Sequence, residues 1–190
     1  MRDDIILCGV GGQGTILASR LLSDAALAAN VAVCAAETIG MAQRGGSVTS
    51  HVRIGEGPRS PLIGLGQASV LIGFEPAEAA RQLRYLSADG VAVVATRPVV
   101  PASSYTGGPA YDLDAIMDYL RANVRRLVTV DVQAAADVLG SPKATNVVLL
   151  GAAARSGALS LGLSAMEQAL RARVHERFLD LDLRALNLDL

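Results

Sequence analysis

Apolar runs and helical stripes alternate along the first part of the chain. Residues 5–10 form an apolar run that stops at glycine, as a strand buried on both faces does. From Thr15 the apolar positions follow helical spacing to about Asn30, and residues 31–36 form a second apolar run. This order predicts a right-handed βαβ unit with a glycine turn at the carboxyl end of its first strand.

The pattern then departs from a simple repeat of that unit. Residues 38–46 lack helical spacing and are predicted to be a loop, whereas residues 47–54 alternate as a strand does. The strands predicted at 31–36 and 47–54 are therefore expected to pair without a crossover helix, in an antiparallel or mixed arrangement. The other predicted strands are 68–73, 90–95 and 127–130, and the other predicted helices are 75–86, 113–124 and those starting near 145 and 164.

Together these elements predict an α/β fold, a three-layer α/β/α sandwich around a mixed, mostly parallel sheet. One long segment, residues 96–112, contains three prolines and two adjacent glycines and is too irregular for a helix or strand. Loops of this length in a compact domain are usually functional or mobile. The segment is thus either a lid or a docking surface.

Composition narrows the class of protein. The 190 residues are enough for one domain, predicted to span residues 1–190, and the formal net charge of -1 provides no basic field for nucleic acid or anionic lipid. The apolar runs are too short for a membrane helix, and Asp3 and Asp4 before the first run are unlike a signal peptide. A cytoplasmic protein without nucleic-acid or membrane partners is expected.

The glycine turn is the first candidate site. Residues 9–14 read G-V-G-G-Q-G between a predicted strand and a predicted helix, which is the setting that the G-x-G-x-x-G fingerprint requires. Backbone without a Cβ can approach a phosphate closely, and the amino end of the helix attracts the anion. Thr15 adds a hydroxyl. The alternative is that the glycines only make a tight turn, and phosphate binding is favoured over it.

Whether that phosphate would belong to NAD is a separate question. A dinucleotide site also needs an acid at the end of the second strand, and Glu37 stands there. Its spacing from the turn is too long for the fingerprint, however, and the following βα crossover is missing. A solvated acid or an ion-pair partner is an equally good interpretation of Glu37.

The segment after the second strand is the other candidate site. Arg44 offers a permanently charged fork for phosphate or carboxylate, and Gly45 and Gly46 leave consecutive N–H groups free for an anion, with Ser47 following. An ordinary surface loop is the alternative. Because both loops are expected at the same edge of the sheet, we predict one crevice formed by the two.

No catalytic centre or metal site is apparent. Cys8 and Cys34 lie in apolar runs and are predicted to be buried thiols, and His51 on an alternating strand is predicted to be a packed or surface residue. His175 is far away in sequence, and no cysteine pair has metal-ligand spacing. The chain therefore has the features of a protein that binds an anionic cofactor without a reactive centre of its own.

Four stretches carry a family resemblance along nearly the whole chain. They are GVGGQGTILASRLL, ETIGMAQRGGSVTSHVRIG, ASVLIGFEPAEAARQLRYLSADGVAVVATRPVVP and VDVQAAADVLGSPKATNVVLLGA. They closely resemble the gamma-type subunits of the 2-oxoacid:ferredoxin oxidoreductases. GMAQRGGSV and SPLIGLGQASVLIGFEP are most similar to the subfamily of indolepyruvate ferredoxin oxidoreductase beta subunits.

The resemblance implies the small subunit of an enzyme that decarboxylates a 2-oxoacid of the indolepyruvate or arylpyruvate type to an acyl-CoA and reduces ferredoxin. Thiamine diphosphate and iron-sulfur clusters are implied on the large partner subunit, and coenzyme A is implied as a co-substrate near this chain. The residues that it assigns to coenzyme A, or to subunit contacts, are Gly9, Gly11, Gly12, Gln13, Gly14, Thr15, Arg44, Gly45, Gly46, Ser47 and Asn146. For Asn146, at the start of a predicted helix, a helix cap is favoured over a hydrogen bond to the ligand.

Two rival hypotheses remain. The first is a self-sufficient NAD(P)-dependent oxidoreductase domain that uses Glu37 on a ribose. The second is a purely structural subunit that stabilises the large one. Binding of coenzyme A and its dependence on the glycine turn separate the three.

Overall fold

The computed structural model describes residues 2–39, 46–56 and 60–189. These residues form one six-stranded sheet with the order β2-β3-β1-β4-β5-β6. The strands are β1 (Arg2–Val10), β2 (Val33–Ile39), β3 (Ser47–Gly55), β4 (Ala68–Gly73), β5 (Leu86–Ala95) and β6 (Arg126–Val130).

Only β3 runs against the other strands. It pairs antiparallel with both β1 and β2, whereas β1, β4, β5 and β6 pair in parallel. The predicted mixed, mostly parallel sheet is confirmed, as is the antiparallel pairing of β2 with β3. β2 has the direction expected of a βαβ unit, but β3 lies between it and β1.

Seven α-helices cover the two faces of this sheet, so the three-layer architecture is also confirmed. They are α1 (Thr15–Ala28), α2 (Pro76–Gln82), α3 (Leu113–Asn123), α4 (Val132–Leu139), α5 (Thr145–Arg155), α6 (Leu163–Arg173) and α7 (Glu176–Asn187), all within the described residues. α2 and α3 pack on one face, and α1 and α4 to α7 pack on the other.

The apolar run of β1 follows from its burial on both sides. Ile5 and Leu7 belong to the core under α1, and Ile6 and Cys8 belong to the core under α2 and α3. Successive side chains of a strand point to opposite faces, so a central strand between two helical layers needs apolar residues at every position.

Several boundaries differ from the sequence prediction. Thr38 lies in β2 rather than in a loop. The helix predicted for 75–86 ends at Gln82, continues as a 3-10 turn (Leu83–Tyr85) and gives way to β5 at Leu86. The register between β4 and β5 shifts before Val70, and this irregularity places the first residues of β5 earlier than the apolar run at 90–95 indicates.

Candidate functional site

The glycine turn joins the carboxyl end of β1 to the amino end of α1, as predicted. Gly12 and Gly14 have φ angles of 98° and 80°, a left-handed conformation that favours glycine. Gly14 is the N-cap of α1 and no side chain caps the helix. The first N–H that bonds back along the helix is that of Ala18, to the Gly14 carbonyl at 3.0 Å. The preceding amides of α1 are thus left for an outside partner, at the positive end of the helix dipole.

Gln13 fixes the turn to the sheet. Its Oε1 accepts a hydrogen bond from the Val10 N–H at 2.8 Å, and its Nε2 donates to the Phe74 carbonyl at 2.9 Å. Gly9 packs beneath this bridge, because a Cβ there would lie 2.7 Å from Gln13 Oε1 and 2.8 Å from Phe74 Cβ. Both residues therefore shape the turn rather than present polar groups to a ligand.

Thr15 and Asn146 both lie against the glycine turn. The Thr15 side chain is 2% exposed, and its Oγ1 has no hydrogen-bond partner. Asn146 lies in the first turn of α5, where a Cβ on Gly14 would come within 2.8 Å of its Nδ2. The N-cap of α5 is Ala144, so the helix-cap interpretation of Asn146 is wrong. Its carboxamide contacts the glycine turn instead.

The second predicted loop is described only at its end. The Gly11 N–H donates to the Gly46 carbonyl at 2.9 Å, which brings this loop against the glycine turn. Ser47 donates from its hydroxyl to Glu78 Oε2 at 2.6 Å. Arg44 and Gly45 lie outside the described residues. The expected meeting of the two loops thus rests on Gly46.

A pair of buried acids beside this turn was missed by the sequence analysis. Glu75 and Glu78 are 1% and 3% exposed. Glu75 caps α2 by accepting from the Glu78 N–H at 2.9 Å, and it also accepts from the Val99 N–H at 3.3 Å and from the Tyr111 hydroxyl. Burial, and then this hydrogen bond, raise the pKa of Tyr111. The available signal was an acid directly before Pro76 at the end of an apolar run.

The Glu75 carboxylate connects both ends of the 96–112 segment to the sheet edge. The loop consequently divides the space there into two pockets. One, of about 380 Å³, is lined by the glycine turn, Arg97 and Thr145. The other, of about 540 Å³, lies between Ser47, the two acids and the loop, and Val99 lines both. Arg97 is exposed and is a further residue that the sequence did not reveal.

Replacing Tyr111 with phenylalanine tests this attachment. The variant loses the hydrogen bond to Glu75 but keeps the ring, so we expect faster amide hydrogen exchange across residues 99–112 and a loss of only about 1 kcal/mol of unfolding free energy. Tyr105→Phe is the matched control, because Tyr105 lies in the same loop and is 78% exposed. Equal exchange in the two variants would contradict the assigned role of Tyr111.

His51 and Cys8 are packed inside the protein. The Ile63 N–H donates to His51 Nδ1 at 3.1 Å, the His51 ring packs edge-on against Tyr85, and burial lowers the pKa of His51. His51 is thus a packed residue, as predicted. Cys8 is buried, and burial raises its pKa, whereas Cys34 is only partly buried, so the prediction of two buried thiols is wrong for Cys34.

The part of the chain that the structure describes contains no group of three or more His, Cys, Asp or Glu residues placed to hold a metal ion. None of its helices has the length and apolar character needed to cross a membrane.

Comparison with known proteins gives matches over almost the full length. The family described as pyruvate ferredoxin/flavodoxin oxidoreductase matches residues 4–189. The chain is 41% identical to the indolepyruvate oxidoreductase subunit IorB of Archaeoglobus fulgidus over 189 residues, 99% of this chain and 94% of that protein. Among solved structures, a keto/oxoacid ferredoxin oxidoreductase gamma subunit from Geobacter sulfurreducens is 26% identical with a TM-score of 0.65, covering 98% and 93% of the two chains.

A larger solved enzyme shares the fold. The 2-oxoglutarate:ferredoxin oxidoreductase from Magnetococcus marinus, with 2-oxoglutarate, coenzyme A and succinyl-CoA bound, has a TM-score of 0.68 at 19% identity. The match covers 98% of this chain and 30% of that one. The same fold therefore also exists as one part of a longer polypeptide.

Proposed function

The chain belongs to the pyruvate ferredoxin/flavodoxin oxidoreductase family, and we propose that it is the small subunit of a 2-oxoacid:ferredoxin oxidoreductase whose glycine turn holds the diphosphate of coenzyme A. The observation that carries the coenzyme A role is the amino end of α1, which has no side-chain cap and is preceded by two glycines with positive φ. Diphosphates bind at such helix ends.

The residues around the turn suit this anion. Gly12 is exposed, and a Cβ there would meet nothing within 4 Å, so the approach to the turn is open. The Thr15 hydroxyl lacks a partner, and Arg97 lines the adjoining pocket with a guanidinium that prefers phosphate oxygens. Gln13 and Gly9 hold the turn in shape, and Asn146 supports Gly14. Arg44 and Gly45 remain predicted anion or subunit contacts.

The rest of the reaction belongs to the partner subunit in this proposal. The carboxylates of Glu75 and Glu78 and the Nδ1 of His51 are already engaged in hydrogen bonds within the chain. We therefore assign thiamine diphosphate and the iron-sulfur clusters to a large subunit, with ferredoxin as the electron acceptor in the cytoplasm. The relatives named indolepyruvate oxidoreductase subunit IorB favour an aryl-substituted 2-oxoacid such as indolepyruvate as the substrate.

The NAD(P)-dependent alternative is disfavoured by the sheet order. In a dinucleotide-binding fold the acid that holds the ribose stands on the strand next to β1. Here β3 occupies that place, and Glu37 lies on the next strand out, about 10 Å from β1 at two strand spacings. Glu37 therefore does not provide the ribose contact of such a site.

Gly12→Asp compared with Gly12→Asn tests the coenzyme A role. The two side chains have nearly equal size and both tolerate a positive φ, so only their charge differs. In the reconstituted complex we expect the KM for coenzyme A to be about tenfold or more higher for the aspartate variant, because like charges repel by one to several kcal/mol at short range. Equal KM values would favour the purely structural role of the subunit.

The assembly itself is tested by anaerobic affinity purification of the chain from its native cells. We expect a brown complex that contains iron, thiamine diphosphate and a large partner, and that reduces a dye when supplied with an arylpyruvate and coenzyme A. A colourless chain without a partner, from a lysate that has this activity, would overturn the subunit proposal.

A further inference from the structure

A separate pocket lies between α5, α6 and α7, on the helical layer that also holds α1. It has a volume of about 380 Å³, and its walls are mainly apolar, formed by Leu17, Val174, Phe178 and Leu181. The polar part of the lining consists of Lys143, Asn146, Arg173, His175 and Asp182. We call it the α7 pocket.

Asp182 is unusual among the buried acids of the protein. The residue is 8% exposed. No described residue donates a hydrogen bond to its carboxylate or forms an ion pair with it. The other buried acids have partners: Asp3 accepts from Ser160, Asp4 pairs with Arg53, and Glu75 and Glu78 belong to the network described above. Burial raises the pKa of Asp182. The carboxylate has no partner within the described residues and lines the pocket, so it is available to a ligand that enters there.

The basic side chains around the pocket differ in whether they already have a partner within the chain. Arg173 is already paired with Asp24, and His175 Nδ1 caps α7 by accepting from the Arg177 N–H. Lys143 is the only lysine in the chain, it is exposed, and its ammonium has no partner among the described residues. The α7 pocket therefore offers one unpaired carboxylate, one unpaired ammonium and apolar walls.

We propose that the α7 pocket binds a small zwitterion with an apolar side chain, that is, an α-amino acid whose ammonium donates to Asp182 and whose carboxylate faces Lys143. The side chain would pack against Leu17 and Phe178. The two charges of such a ligand match Asp182 and Lys143 one to one. Arg177 stacks on the Phe178 ring and is not among the residues that line the pocket. Asn146, which contacts Gly14, also lines this pocket, but the two charged groups that define the site, Asp182 and Lys143, lie outside the glycine turn, so this proposal does not depend on the coenzyme A role.

Calorimetric titration of the full-length chain with L-phenylalanine at neutral pH tests the proposal. We expect saturable binding that Asp182→Asn weakens about tenfold or more, since a hydrogen bond between charged groups is lost. Asp180→Asn is the matched control, because Asp180 lies exposed on the same helix and its replacement should leave binding unchanged. Because the Asp182 carboxylate has no partner within the described residues, Asp182→Asn breaks no contact of the chain, and thermal unfolding should show a variant about as stable as the wild type.

Fragments of the ligand separate its two charged contacts. Phenethylamine lacks the carboxylate, so its binding should weaken in Asp182→Asn and stay unchanged in Lys143→Met. 3-Phenylpropionate lacks the ammonium and should show the opposite dependence. The proposal is overturned if L-phenylalanine gives no saturable binding, or if its affinity is the same in Asp182→Asn and the wild type.

Discussion

Gly14→Ala is expected to destabilise the protein by on the order of 2–4 kcal/mol, more than Gly12→Ala, which is expected to lose about 1–2 kcal/mol. Both glycines have positive φ angles, 80° and 98°, so both alanines carry the same kind of backbone strain. Only at position 14 does the new Cβ also meet a neighbour, Asn146 Nδ2 at 2.8 Å, whereas the space around Gly12 is open. Urea unfolding of the two variants measures the difference.

A second substitution separates the two causes. Asn146→Gly in the Gly14→Ala background removes the atoms that the Cβ would meet but leaves the backbone strain, so the double variant should regain stability relative to the sum of the single changes. The shift of the turn should also raise the KM for coenzyme A in Gly14→Ala beyond that in Gly12→Ala. Equal losses in the two alanine variants, with no coupling to Asn146, would contradict the assigned packing of the turn.

The features that sequence predicted correctly depend on local patterns. The continuous apolar run of β1, the glycines that follow it and the alternation of β3 each report the surroundings of a few consecutive residues. They were sufficient for the three layers, for the direction of β3 and for the place of the glycine turn. Asn30, with φ of 56°, marks the end of α1 for the same local reason, since asparagine tolerates the left-handed conformation.

The parts that sequence missed depend on contacts between distant segments. Tyr111 reaches Glu75 across 36 positions, and Ser47 reaches Glu78 across 31, so neither spacing is visible as a motif. The early start of β5 depends on its irregular register with β4. α7 alternates charged and apolar residues, and only its packing against α6 and α5 places Asp182, rather than Asp180, inside a pocket.

Gly151→Ala should reverse the usual effect of this substitution. A glycine inside a helix ordinarily lowers the free energy of unfolding by about 1 kcal/mol relative to alanine, so the change would normally stabilise α5. Here a Cβ would lie 2.1 Å from the Leu186 carbonyl oxygen, a backbone atom of α7 that also accepts a hydrogen bond from Arg155 Nη1 at 2.5 Å. The two helices must separate to admit the methyl group, and we expect a loss on the order of 3 kcal/mol.

Ala152→Gly is the control for this reversal, because Ala152 is the half-buried neighbour in the same helix and should lose only the propensity difference of about 1 kcal/mol. If helix propensity alone acted, the two substitutions would have opposite signs; with the close approach of α7, both should destabilise, and Gly151→Ala the more strongly. Hydrogen exchange should quicken along α7 in Gly151→Ala only. A stabilised Gly151→Ala variant would show that α7 does not pack against α5 at this distance. The placement of Asp182 in the α7 pocket, which depends on that packing, would then lose its support.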